Sequence, residues 1–129
     1  MVILTDGANL ITEVNGVQRQ RCRNRVNTDY NSHYTAYDYL NRNRLGTRNN
    51  FNAAQAALDQ KLRRVCENIK ETGITIYTIT FQLEDTSTQN LFRECATDPA
   101  KFFNSPNNET LSEAFRSIGA ELNNLRIGR

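Results

Sequence analysis

The residue types that could carry out catalysis do not form a known catalytic pattern in this sequence. It contains no Gly-x-Ser-x-Gly, no phosphate-binding loop, no dinucleotide fingerprint and no His-Glu-x-x-His. The acidic residues are scattered, and we expect the single histidine, His33, to be structural or solvent-facing. The sequence therefore predicts a protein that is not an enzyme.

The three cysteines, Cys22, Cys66 and Cys95, have no close pairing in the sequence. Structural zinc sites use closely spaced cysteine or histidine pairs, so this spacing argues against one. An odd number of cysteines allows one disulfide at most. Cys66 and Cys95 fall late in two predicted helices that flank one strand, so they could approach each other. They could equally be two small buried apolar residues.

Arginines alternate with other residues at Arg19, Arg21, Arg23 and Arg25. In an extended conformation their four guanidinium groups would lie on one side and could bind a nucleic acid or an acidic polymer. A net charge of only +2 favours a solvated loop instead. We therefore expect no nucleic-acid partner, and polyanion binding stays an alternative.

Tyrosines are concentrated in one polar segment, with Arg44 shortly after them. The cluster comprises Tyr30, Tyr34, Tyr37 and Tyr39. Tyrosine is enriched at protein interfaces, so Tyr34, Tyr37, Tyr39 and Arg44 are candidate interaction residues. The alternative is that these rings anchor the segment to the rest of the domain.

The chain that must position these residues has 129 residues, of which 38% are hydrophobic. Residues 1–7 predict a strand that ends in a Thr-Asp-Gly turn, and its unbroken apolar run is typical of a strand covered on both faces. Residues 8–51 read as a long polar insertion without periodicity. No apolar run approaches the length of about 20 residues that a membrane helix needs. No signal-peptide pattern is present either.

Regular elements follow from residue 52. An apolar stripe predicts a helix that Asn50 or Asn52 caps and Gly73 ends: Leu58, Leu62, Val65 and Ile69. A strand is predicted over 74–81, a short helix over 86–95 and a strand over 101–104. Pro106 and a capping Asn108 introduce a last helix to about residue 125. Its predicted apolar stripe is Leu111, Phe115, Ile118, Leu122 and Leu125.

Strands that alternate with helices predict an α/β fold with a parallel sheet between helices. The first strand looks central yet opens the chain, so we expect half of the sheet to be missing. Its exposed edge would have to pair with something, which predicts poor solubility or self-association through this strand.

Several segments, in order, resemble the von Willebrand factor A (VWA) domain of TadG-like proteins, which belong to the Tad system that assembles Flp pili. The opening Val-Ile-Leu-Thr-Asp-Gly resembles the fourth VWA strand and its loop. The stretch from Tyr34 to Leu40, with Arg44-Leu-Gly46, resembles the TadG-type insertion. Further matching residues include Cys66, Gly73 to Ile79, Cys95-Ala96 and Phe102-Phe103.

This resemblance implies a Rossmann-like VWA three-layer sandwich, of which residues 1–129 form only the C-terminal half. It also implies a disulfide between Cys66 and Cys95, because TadG-like proteins place cysteines there and act outside the cytoplasm. Cys22 would then be unpaired or bridge to something outside this chain.

A metal ion-dependent adhesion site (MIDAS) is the other implied feature, and Asp6 is the residue that matches it. Carboxylate and hydroxyl oxygens suit Mg²⁺ or Mn²⁺, but the Asp-x-Ser-x-Ser part of the site is absent from this sequence. We therefore expect no cofactor in this chain, and Asp6 can simply shape a turn with Gly7. Metal binding would require residues supplied by another polypeptide.

The function that the resemblance implies is a non-enzymatic protein-interaction module of a TadG-like pilus assembly protein. Its partners would belong to the pilus machinery or the cell envelope. We expect it to lie outside the cytoplasm, in the periplasm or envelope, on a parent protein anchored in the membrane. A metal-dependent adhesion module completed elsewhere is the alternative, alongside the polyanion binder.

Overall fold

The computed structural model describes residues 1–8, 34–35, 37–39, 43–47 and 50–125. The chain divides into two compact units, Met1–Ala8 with Leu62–Arg129, and Asn9–Lys61. The strands are β1 (Val2–Thr5), β2 (Tyr34–Thr35), β3 (Asp38–Tyr39), β4 (Tyr77–Phe81) and β5 (Phe102–Ser105). The α-helices are α1 (Phe51–Glu71), α2 (Thr86–Cys95) and α3 (Asn108–Leu125), and a 3₁₀ turn spans Pro99–Lys101.

The first unit is built on a three-stranded parallel sheet in the order β1-β4-β5. The central strand β4 consists of β-branched and aromatic residues, and its first four residues are buried. Helices flank this sheet on both faces. The predicted α/β arrangement of three parallel strands with flanking helices is therefore confirmed.

Two apolar clusters hold these layers together. On one face, Tyr77 and Ile79 of β4 pack with Ala114 and Ile118 of α3. On the other face, Ile76 packs with Cys66 of α1 and Cys95 of α2. Because successive side chains of a strand point to opposite faces, residues 76 to 79 serve both clusters alternately.

The prediction that β1 is covered on both faces is wrong. Ile3 packs against the cluster of Cys66, Ile76 and Cys95, but Val2 and Leu4 are 44% and 47% exposed. These residues alternate along a strand at the edge of the sheet. An apolar run without alternation does not reveal whether one of its faces is left open.

The buried stripes of two helices differ from those predicted. In α1, Val65 is exposed and Cys66 is buried, whereas in α3 Phe115 and Leu122 are half exposed and Ala114 is buried. The sheet lies against a narrow stripe of each helix, where small residues allow close approach. Val65, Phe115 and Leu122 therefore fall beside the contact, whereas Leu62, Leu111 and Ile118 remain in it.

Strand and helix ends depart from prediction by a few residues. The strand predicted from residue 74 begins at Tyr77, because Ile76 bonds outside the sheet. Its N–H donates to Thr97 Oγ1 at 2.7 Å, and its carbonyl accepts from the Thr97 N–H at 3.1 Å. Lys101 lies in the 3₁₀ turn, so β5 starts one residue later than predicted.

Most helix caps match their sequence signals. Asn50 Oδ1 accepts from the Ala53 N–H at 3.0 Å, and Gly73 ends α1 with a φ of +79°. Both predictions are confirmed. The predicted cap at Asn108 is wrong, because the side chain that caps α3 is that of Asn107, which accepts from the Thr110 N–H at 2.9 Å.

The second unit contains the β2–β3 pair and the first part of α1. The two short strands are antiparallel, with Tyr34 opposite Tyr39 and Thr35 opposite Asp38. The Lys61 ammonium lies 5.1 Å from the centre of the Tyr37 ring, which lies between the strands in sequence. In the described part of the chain, no helix is both long enough and apolar enough to span a bilayer.

Candidate functional site

The outer edge of β1 carries backbone groups that no described strand pairs with. The Tyr77 N–H donates to the Met1 carbonyl at 2.8 Å, so Met1 faces β4. In a parallel ladder, successive residues turn their N–H and C=O alternately to one side and the other. Ile3 therefore also faces β4, and the N–H and C=O groups of Val2 and Leu4 point away from it.

The side chains of Val2 and Leu4 lie on the face of the sheet that α3 covers. Val2 is paired with Tyr77 and Leu4 with Ile79, and side chains at paired positions share a face. Tyr77 and Ile79 are buried beneath α3, whereas their two neighbours on β1 remain about half exposed. Helix α3 therefore covers β4 but does not extend over β1.

Two further apolar side chains flank this open strip. Phe115 and Leu122 of α3 are each 49% exposed and are seven residues apart, which places them on one side of the helix. The opposite side of α3, with Thr110 and Glu113, borders β5. At 3.6 residues per turn, Phe115 and Leu122 therefore lie toward β1. We call Val2, Leu4, Phe115 and Leu122 the β1 surface.

A polar network fixes α3 over β4 and β5. The Tyr77 hydroxyl donates to Glu121 Oε2 at 2.7 Å, and Lys101 Nζ donates to the same oxygen at 3.1 Å. Lys101 also lies 3.5 Å from Asp98 and 5.1 Å from the centre of the Tyr77 ring. The network joins α3 to β4 and to the 3₁₀ turn that precedes β5.

This network shifts the protonation equilibria of its members. The Tyr77 hydroxyl and the Lys101 ammonium donate to Glu121 and hold the pKa of its carboxyl below the ordinary value. The hydrogen bond to Glu121, together with burial, raises the pKa of Tyr77. The bond to Glu121 likewise raises the pKa of Lys101. These shifts favour the ionised carboxylate of Glu121, the neutral hydroxyl of Tyr77 and the ammonium of Lys101, which are the states that form these hydrogen bonds.

The opposite face of β1 rests on a disulfide. Cys66 of α1 and Cys95 of α2 are bonded through their sulfur atoms, with 5.2 Å between their Cα atoms. Ile3 packs against this pair and Ile76. Glu94 of α2 strengthens the same helix contact, since its carboxylate pairs with Arg63 at 2.8 Å and its carbonyl accepts from Lys70 Nζ at 2.8 Å.

Asp6 lies in the turn that follows β1, at the carboxyl end of the sheet. The Thr5 hydroxyl, which could have been a second oxygen ligand, donates to the Gly7 carbonyl at 2.7 Å. Among the described residues, no three His, Cys, Asp or Glu side chains come together around a point that a metal ion could occupy. Metal binding at Asp6 therefore stays the alternative given above, in which the further ligands come from another polypeptide.

The aromatic candidates belong to the second unit. Tyr34 and Tyr39 are opposed in its β2–β3 pair, Tyr37 stacks against the Lys61 ammonium, and Arg44 is exposed in the turn that ends at Gly46. Other residues considered from the sequence lie outside the described residues: Arg19, Arg21, Cys22, Arg23, Arg25, Tyr30 and His33.

No protein-family model, no curated protein and no solved structure matches this chain. The candidate site is therefore defined by geometry, and the geometry favours the β1 surface.

The sequence predicts an open edge at β1, but it also predicts that the side chains of the β1 surface belong to the core. Each of them occupies an apolar position in a strand or helix stripe, which ordinarily indicates burial. Only for Phe115 does the sequence indicate that exposure is possible. Ala114 beside it forms an equally good apolar stripe with Leu111 and Ile118, so the helix can bury either residue. The exposure of Val2 and Leu4 depends on the cover above them, which local sequence does not encode.

Proposed function

We propose that this chain is a non-enzymatic protein-interaction module that binds an extended polypeptide along β1. The observation that supports this most is the β1 surface, where backbone groups of Val2 and Leu4 that no described strand pairs with accompany their half-exposed side chains, on the side toward which Phe115 and Leu122 face. An open edge strand is a template for strand addition, and apolar side chains next to it stabilise the added segment.

The partner that we propose is a strand-bearing polypeptide of the cell envelope in a TadG-like pilus assembly system. The chain would supply the C-terminal half of a VWA-like sheet, and the partner would continue that sheet beyond β1. The order of strands and helices, and Thr5-Asp6-Gly7 at the end of β1, support this assignment.

A location outside the cytoplasm forms part of the proposal. The disulfide between Cys66 and Cys95 supports it, because such bonds persist mainly in oxidising compartments. The parent protein would be anchored in the membrane and present this module to other envelope components.

A test of the proposal uses the purified chain, in which a second copy takes the place of the natural partner. We expect sedimentation equilibrium to show dimers at micromolar concentration. Leu4→Lys should give a monomer, because its charge would be buried between the two edges. Val65→Lys is the matched control, since Val65 is equally exposed but lies on α1.

A wild-type chain that stays monomeric and soluble at every concentration would contradict the proposal. Equal loss of dimer in the Leu4→Lys and Val65→Lys variants would also contradict it, since association would then be nonspecific.

A further inference from the structure

A groove of about 380 Å³ lies between β5 and α3, on the side of the helix away from β1. Its walls are a strand edge and a helix face, and both polar and apolar residues line it. The residues that line it include Phe103, Asn104, Ser105, Thr110, Glu113 and Ser117. None of them belongs to the β1 surface.

The most unusual group in this groove is the hydroxyl of Ser105. The residue is only 1% exposed, and its Oγ has no hydrogen-bond partner among the described residues. Ser105 lies two positions after Phe103, which packs under α3, so its side chain points to the same face and into the groove. A buried hydroxyl without a partner is costly, so a polar group of a bound molecule would gain a hydrogen bond that no described residue supplies.

The backbone of β5 supplies further unpaired groups beside this hydroxyl. The Gln82 N–H donates to the Ser105 carbonyl at 2.9 Å, so Ser105 faces β4. By the alternation of a parallel ladder, the N–H and C=O of Asn104 and the C=O of Phe102 point outward. The Phe102 N–H is already bonded to the Pro99 carbonyl. An extended peptide could therefore form three backbone hydrogen bonds along this edge.

The charge of the groove indicates which side chains such a peptide would carry. Glu113 is the only ionisable residue that lines it, and its exposed carboxylate has no ion-pair partner among the described residues. Glu109 adds a second negative charge to the first turn of α3. An anionic ligand is therefore disfavoured, and a cationic side chain is favoured.

We propose that the groove between β5 and α3 binds an extended peptide segment that pairs with the outer edge of β5 and directs a lysine or arginine side chain to Glu113. The Ser105 hydroxyl forms a hydrogen bond with a polar group of the bound segment. This second surface is independent of the proposed binding along β1, because the two lie on opposite edges of the sheet.

The test is an NMR titration of the ¹⁵N-labelled chain with the blocked peptide Thr-Lys-Val-Lys-Val-Thr. We expect amide shifts at Asn104, Ser105 and Glu113, with none at Val2 or Leu4. A peptide with glutamate in place of both lysines is the matched probe and should bind at least severalfold more weakly.

Two substitutions measure separately what the Ser105 hydroxyl and the Glu113 carboxylate contribute to binding. Ser105→Ala should weaken binding of the basic peptide about fivefold, as expected for one lost hydrogen bond. Glu113→Gln should weaken it about threefold, as expected for a solvent-exposed ion pair. Ser112→Ala and Glu67→Gln are the controls, since both residues are exposed on helices and do not line the groove.

The proposal is overturned if millimolar basic peptide causes no shift at β5, or if the acidic peptide binds equally well. It is also overturned if Ser105→Ala and Ser112→Ala leave the affinity equally unchanged.

Discussion

The β1 and β5 edges of the sheet both carry backbone groups that no described strand pairs with, but their surroundings differ. At β1, the neighbouring exposed side chains are Val2, Leu4, Phe115 and Leu122, and all four are apolar. At β5, the neighbours include three hydroxyls and one carboxylate together with apolar residues, arranged in a groove below α3. The backbone makes both edges able to accept a strand, and the side chains decide which strand each would prefer.

The position of α3 produces this difference. The helix is fixed over β4 and β5 by the bonds among Tyr77, Lys101 and Glu121. It therefore forms a wall beside β5 and leaves the Val2 and Leu4 side chains of β1 about half exposed. One helix placed off-centre over a three-stranded sheet thus creates two unlike edges.

Removal of the disulfide should have the largest effect and should act mainly on the β1 side. A bridge that closes a separation of 29 residues contributes about 3–4 kcal/mol through loss of chain entropy in the unfolded state. Replacing Cys66 and Cys95 together with alanine should lower the free energy of unfolding by that amount in urea titrations. Amide protection at Ile3, which packs against the bridge, should fall more than at Phe103.

A variant that loses less than about 1 kcal/mol would show that the bridge does not organise this region. Equal loss of protection at Ile3 and Phe103 would show that the two edges are not separately supported.

The pH dependence of stability should report the attachment of α3. Because the pKa of Glu121 is lowered in the folded state, its stabilisation is present above about pH 4.3 and is lost as the pH falls through that lowered value. Because the pKa values of Tyr77 and Lys101 are raised, their stabilisation is present below about pH 10 and is lost as the pH rises further.

Urea midpoints measured from acid to alkaline pH should therefore decline at both ends. Glu121→Gln should flatten both declines, whereas Glu84→Gln, an exposed residue outside the network, should leave them unchanged. Unaltered declines in Glu121→Gln would assign the pH dependence to other groups.

Ser105→Ala should give a smaller effect of opposite sign in the absence of any peptide. Removing a buried hydroxyl that has no partner should raise the free energy of unfolding by about 1 kcal/mol. Thr80→Val is the contrasting change, because the Thr80 hydroxyl donates to Asn104 Oδ1 at 3.0 Å and its loss should destabilise by a similar amount. A destabilised Ser105→Ala variant would mean that the hydroxyl is already satisfied within the fold.

Much of the framework could be predicted from local sequence. The β-branched run of β4 and the glycine that ends α1 each act through local conformational preference, so they identified a strand and a helix end correctly. The helix cap shows the limit of such signals, because Asn107 and Asn108 are adjacent residues of the same type and only the backbone geometry selects the first.

The open edge of β1 is predicted from the sequence, but the side chains around it and the groove at β5 could not be predicted in the same way. Whether Leu4 or Phe115 is buried depends on how far α3 extends across the sheet, which is a property of packing. The groove combines Ser105 with Glu113, which are brought together only when β5 and α3 pack. The periodicity of the sequence shows neither how far α3 extends over the sheet nor that Ser105 and Glu113 lie in one groove.

The most direct test of binding along β1 is amide hydrogen exchange measured at increasing concentrations of the chain. The Leu4 and Asn104 amides both point away from β4, one at each edge, so each serves as a reference for the other. Association through β1 predicts that exchange at Leu4 slows as the concentration rises while exchange at Asn104 stays constant. Exchange at Leu4 that is independent of concentration, or slowing at Asn104 alone, would contradict the assignment of β1 as the edge that binds a second polypeptide.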